Sequence, residues 1–228
     1  MDLPVELRLY IAEYALTADD PLDWEWSTYE TTLNAKNRVG TFMGIPGLTA
    51  LSRVSRQLHS EVASIVWKAN NFSFTEDRVL DYKEKSTQTS PEWSEVEEAY
   101  EFFLRQAGAQ TLQDLRSVVI TIDLTNWADN HRQLMCRLDM LTRIMPHVRH
   151  KILACGWVLI DALDADLRDM VWEGQSTLHE LKAAGFESAL ERNWKIFPDL
   201  DADERKWLEE QVNNEDAKLA LHWADNGI

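Results

Sequence analysis

Asp199, Asp201 and Asp203 alternate along "DLDADERKWLEE", and Glu210 follows at the twelfth place counted from Asp199. Oxygen ligands at that spacing are those of a calcium loop, where carboxylates at the first, third and fifth places and a glutamate at the twelfth surround a hard cation. The sixth place of such a loop needs glycine for a sharp turn, and here it is Glu204, with Lys206 at the eighth. A simpler use fits the same residues: Asp201 caps a helix and Glu204 closes a capping box. His147 and His150, close in sequence to Cys136 and Asp139, are the other metal-type grouping. They follow Pro146 and lack the second spaced pair of a zinc site, which points to structural or solvent-facing roles. Asp161, Asp164, Asp166 and Asp169 recur at helical spacing, the pattern of a solvated face. A catalytic carboxylate pair also needs surroundings that push two pKa values apart. No Gly-x-Ser-x-Gly elbow, Walker-type Gly-Lys-Ser/Thr or Gly-x-Gly-x-x-Gly occurs, and "GTFMGIPG" lacks a phosphate-binding lysine. The expectation is a protein that is not an enzyme and takes neither cofactor nor metal.

The 228 residues suffice for a core without covalent staples. Net charge is −16, which disfavours nucleic acid and anionic membranes as partners. The charge is uneven. From Asp161 onward there are seventeen Asp or Glu against seven Lys or Arg. Between His131 and Lys151 the sign reverses, with Arg132, Arg137, Arg143, Arg149 and Lys151 against Asp139 alone. This basic stretch is expected to pair with the acidic C-terminal region, the alternative being an acidic partner. The ten tryptophans suit a Trp-rich core with one or two left exposed. Cys136 and Cys155 sit in apolar surroundings and read as reduced core residues. With no signal-peptide pattern and no apolar run of membrane length, the expected location is cytoplasmic or nuclear.

The elements that position these residues follow from periodicity. "LPVELRLYIAEYAL" predicts a helix with Pro4 in its first position and Leu3, Leu7, Ile11 and Tyr14 on one apolar face. Residues 17–47 read as a long irregular loop. Leu48, Leu51, Val54, Leu58, Val62 and Ile65 step by three or four, giving one amphipathic helix or two broken near the middle. "FSFT" predicts a short strand, 93–107 a helix, "LRSVVITIDL" a buried strand, 129–145 a helix and "KILACGWVLI" a second buried strand. From Asp164 to Ala224 the pattern is two or three acidic helices. Strands separated by crossover-length segments predict an α/β protein with a small, mostly parallel βα sheet. The expected organisation is a helical region over 1–75, with its internal loop at 17–47. A βα region with an acidic helical C-terminal part follows over 76–228, continuous with the first.

Two stretches together carry a family pattern. "LPVELRLYIAEYAL" and "LSRVSRQLHSEVASIVWKANNFSF" resemble the F-box, and more closely the F-box-like proteins common in filamentous fungi. Those read Leu-Pro-x-Glu-Ile/Leu-Arg, then Leu-x-x-Val-x-Arg-Gln-Ile/Leu-x-x-Glu, then an aromatic and an Asn-x-Phe strand. Here Leu51, Val54, Arg56, Gln57, Leu58, Glu61, Trp67, Asn71 and Phe72 supply the second part. The pattern covers about residues 1–75 and continues loosely to about 125. It departs in its long gap between the two stretches and in Ser55, where cysteine is common.

The resemblance implies F-box-like helices packed on the sheet and binding to the Skp adaptor of a cullin–RING ubiquitin ligase, with the rest of the chain recruiting a substrate. Its adaptor-facing residues would be Leu3, Pro4, Leu7, Ile11, Leu51, Val54 and Leu58, acting as a helix in a groove. The alternatives are an interaction protein that keeps the fold without binding the adaptor and, third, an enzyme of unknown type. The same apolar stripes would also serve to pack on the chain's own core, so exposure of Leu3, Leu7 and Ile11 separates the readings.

Overall fold

The protein is described by a computed structural model over residues 3–28, 38–48, 56–75, 95–122, 136, 139–140, 142–154, 164–186, 192–211 and 213–228. Helix α1 (Val5–Leu16) leads into strands β1 (Leu22–Thr28) and β2 (Arg38–Phe42). Three short helices follow, α2 (Ile45–Leu48), α3 (Arg56–Val62) and α4 (Ile65–Ala69), then β3 (Asn71–Phe74), α5 (Glu95–Gln106), α6 (Ala109–Asp114) and β4 (Ser117–Ile122). The chain continues through β5 (Arg149–Ala154), α7 (Asp164–Ala183), β6 (Trp194–Pro198), α8 (Ala202–Glu210) and α9 (Glu215–Asn226).

The strands are ordered β2-β1-β3-β4-β5-β6. β1 is antiparallel to β2 and parallel to β3, and β5 is parallel to β6. Each parallel pair spans an intervening helical segment, as a crossover requires. The fold is therefore α/β, a mostly parallel six-stranded sheet with a helix before it and helices after it. Contacts divide the chain into two compact units, residues 1–119 and 120–228, with the division inside β4.

In the first unit an aromatic core fills the space between the strands and α4 and α5. Phe42 meets Phe72 at 4.8 Å and Trp24 at 5.0 Å, edge to face, and Trp67 stacks on Phe72 at 4.8 Å. Such pairs add about 0.5–1.5 kcal/mol each beyond their buried area. Trp24 lies across Gly40, where a Cβ would come within 1.8 Å of the indole. The expected loop over 17–47 is thus corrected: β1 and β2 form a ladder there. Leu22 is buried and Trp24 half-buried, while Asp23 and Glu25 are exposed. This is a period of two whose charged half made the segment look irregular.

In the second unit β5 buries His150, Ile152 and Ala154, and β6 buries Trp194, Ile196 and Pro198. Helix α7 buries Leu167, Met170, Val171, Gly174 and Leu181, and α9 buries Ala217, Ala220 and Trp223. Gly174 lets the Trp223 ring reach its backbone, since a Cβ there would stand 2.2 Å from the indole. Ile228 closes the side of β6 by exchanging two main-chain hydrogen bonds with Ile196, at 3.1 and 2.8 Å. β6 corrects the expectation of an all-helical C-terminal region. Its five residues lie between acidic segments and end in Pro198, a residue confined to strand edges and ends, so the local strand signal is weak.

Three smaller expectations meet the structure here. Cys136 is exposed, not a core residue, while Cys155 lies outside the described residues. Among the described tryptophans Trp172 is 64% exposed, and Trp194 and Trp223 are buried, as the Trp-rich core reading expects. The basic stretch does not pair with the acidic C-terminal region among the described residues. Arg143 bonds Asp139 at 2.6 Å, whereas Arg205 takes Asp225 and Glu209, and Lys218 takes Glu215. Arg143, Lys218 and the Arg205–Glu209 contact use neighbours one helix turn away, while Arg205–Asp225 joins α8 to α9.

Candidate functional site

Helix α1 starts after Pro4, whose extended backbone (φ −53°, ψ 148°) makes it the N-cap. That is one place earlier than the first helical position expected from sequence, with Glu6 in the first turn where the helix dipole favours an anion. The Arg8 N–H donates to the Pro4 carbonyl at 3.1 Å. At the other end the Thr17 hydroxyl donates to the Glu13 carbonyl at 2.7 Å.

The side of α1 that meets the chain is narrow. Ala12 and Leu16 are buried and Arg8 is half-buried. The Arg8 guanidinium forks onto Glu61 of α3, Nε to Oε2 at 3.1 Å and Nη2 to Oε1 at 2.8 Å, and Nη1 donates to the Leu3 carbonyl at 2.6 Å. The Glu61 hydrogen bond, foremost, raises the Arg8 pKa. At the helix end the buried Asn70 amide joins two elements. Its Nδ2 donates to the Leu16 and Val66 carbonyls, both at 2.8 Å, and its Oδ1 accepts the Ala18 N–H at 2.6 Å.

The opposite side of α1 is apolar and open. Leu7 is 50% exposed, Ile11 53%, Tyr10 71% and Tyr14 84%, and Leu3 just ahead of the helix is exposed too. Steps of three and four place Leu3, Leu7, Tyr10, Ile11 and Tyr14 in one stripe turned away from Ala12 and Leu16. These exposed apolar side chains are contiguous along the helix rather than scattered.

The sequence-derived site residues therefore divide. Leu3, Pro4, Leu7 and Ile11 come together at the exposed end of α1. Leu51 and Val54 lie outside the described residues, and Leu58 is on α3 with its side chain outside them. Residues missed as site members are Tyr10 and Tyr14, which complete the stripe, and Arg8, Glu61 and Asn70, which hold its helix. Arg8 and Glu61 belong to the two patterned stretches, so their pairing was open to inference. Asn70 has no sequence signal beyond standing before a strand.

Beside the helix end, an apolar cleft of about 160 Å³ is lined by Leu16, Leu48, Val62, Val66 and Trp67, with His59. Among the described residues its lining is apolar apart from that one imidazole. Among the described residues no three His, Cys, Asp or Glu side chains gather as metal ligands. Asp201 is the N-cap of α8, accepting from the Asp203 and Glu204 N–H groups, and Glu204 returns to the Asp201 N–H at 2.7 Å. The capping box read from the sequence is thus formed. His147 is exposed, and His150 is buried beside Asn193, as the structural reading of that pair expects. No described helix is long and apolar enough to cross a membrane.

Fold and site together define an α/β protein that presents an apolar helix face. No family model, curated protein or solved structure matches the chain.

Proposed function

We propose that this chain is a non-catalytic protein-interaction protein whose docking element is α1, and that it serves as an F-box-type substrate receptor of a cullin–RING ubiquitin ligase. The observation that carries the reading is the open stripe of Leu3, Leu7, Tyr10, Ile11 and Tyr14 on a helix fixed from behind by Arg8 and Asn70. Apolar side chains at i, i+3, i+4 and i+7 are the anchors of a helix laid in a groove. The Arg8–Glu61 fork links the two stretches that carry the F-box resemblance.

A second reading is an interaction protein that uses the same stripe without the Skp adaptor. It is favoured by β1 and β2, which lie between those two stretches and put them inside an α/β sheet. Titration of the purified chain with purified Skp adaptor decides between them. Saturable binding, weakened roughly a hundredfold by Leu7→Asp with Ile11→Asp, is the outcome expected for the receptor, since two anchor residues are lost. No binding by the wild-type chain sinks the receptor reading and leaves the second. Binding that survives the double substitution sinks the assignment of the stripe.

A further inference from the structure

The second unit carries a different exposed surface. Along β5, Arg149 and Lys151 are exposed and Leu153 half-buried, while His150, Ile152 and Ala154 turn inward. The register sets Lys151 against Lys195 and Leu153 against Phe197, both half-buried on β6. Because side chains alternate along a strand, Arg149, Lys151, Leu153, Lys195 and Phe197 share one face. Among the described residues none of the three cations is ion-paired with a carboxylate. The Lys151 ammonium lies 5.0 Å from the centre of the Phe197 ring, and Lys195 Nζ donates to the Asn226 carbonyl at 2.9 Å. The two lysines stand at opposed register positions, with their ammonium groups turned to different partners. In a chain of net charge −16, no described carboxylate answers these cations, and Lys195 meets only the carbonyl end of α9.

We propose that this face docks an extended acidic segment of a partner protein, with the pattern acidic-x-acidic-x-apolar. The spacing supports the pattern. Alternate residues of an extended chain lie about 7 Å apart, and adjacent strands about 4.8 Å apart. One carboxylate bridges the Lys151 and Lys195 ammonium groups. A second, two residues away, receives the Arg149 guanidinium as a two-pronged hydrogen bond. On the other side of the bridge, an apolar side chain two residues on rests against Leu153 and Phe197. Nucleic acid suits the strip less well. Its three cations are too few to follow a phosphate backbone, and the overall negative charge repels one.

Fluorescence anisotropy with a labelled Glu-Ser-Glu-Ser-Leu peptide and the full chain tests the proposal. Saturable binding is expected, weakening as salt rises from about 50 to about 500 mM, where exposed charges are screened. Lys151→Ser with Lys195→Ser is expected to weaken it roughly tenfold or more, and Arg149→Ala by several-fold, the sum of a few exposed charge-assisted contacts. Arg149→Ala changes only an exposed side chain, so it reports on binding even if the double variant folds poorly. The proposal is overturned if the wild-type chain does not bind, if the Gln-Ser-Gln-Ser-Leu or a shuffled peptide binds as well, or if a short oligothymidine binds as tightly.

Discussion

His150 and Asp114 show how burial turns single residues into pH sensors of stability. His150 is buried, and loss of hydration, foremost, pushes its pKa down to about 4, with His147 adding to the shift and the contacts to Asn193 and Val148 opposing it. The folded state keeps the ring neutral while the unfolded chain protonates near its ordinary value of about 6.5. Stability is therefore full above that value and falls with pH down to about 4. Between pH 7 and pH 5 the expected loss is about 2 kcal/mol. Urea unfolding at the two pH values measures it, and His150→Gln should flatten most of the difference. Asp114 works lower on the scale. Burial tends to raise its pKa, but the Gln110 hydrogen bond at 2.8 Å and the Lys68 ammonium at 3.2 Å outweigh this and hold it below the usual carboxylate value. Its contribution is present above the unfolded carboxylate pKa, near 4, and disappears as acid goes further. The two residues thus act in adjoining windows. Neither role was legible in the sequence, because a lone histidine or aspartate carries no mark of its burial. The Asp201–Glu204 capping box was legible, because its partners lie three residues apart and need no tertiary contact.

Among the elements, those with strong local periodicity were read correctly, and those whose pattern is completed by distant neighbours were not. β4 announces itself by Val118, Val119, Ile120 and Ile122, and α5 by its apolar spacing. β1 and β6 are short and interleaved with acidic or aromatic residues, and they become strands only when a partner supplies the ladder. Glycine makes the same point in reverse. Helix propensity alone says that Gly174→Ala should stabilise α7 by about 1 kcal/mol. The Trp223 ring occupies the space of the new methyl group, so the expected result is a loss of about 1–3 kcal/mol, seen as a lower urea midpoint. Gly40→Ala should likewise displace Trp24 and lower the midpoint, since β1 and β2 share that contact.

For the whole molecule, the notable fact is that a helix rich in leucine and tyrosine is turned outward. If the stripe stands free in solution, Leu7→Ser with Ile11→Ser should move the unfolding midpoint by no more than about 0.5 kcal/mol, as exposed substitutions do. Leu16→Ser on the buried side of the same helix should cost at least about 3 kcal/mol. Equal losses from both would place the stripe in the core. The sequence supplied the helix and its apolar residues but not which side faced the chain, because α1 is apolar on both sides. The Arg8–Glu61 and Asn70 bonds decide that, and they pair residues more than fifty positions apart. Asn70 has a consequence for kinetics. One side chain satisfies the last turn of α1, the end of α4 and the Ala18 N–H, so the helix cannot swing or fray at that end without breaking all three bonds together. For the partner proposed to dock on the stripe the helix is preformed, and association should follow a single concentration-dependent phase without a slow folding step. In Asn70→Ala that step should appear, as a lag whose rate no longer depends on partner concentration.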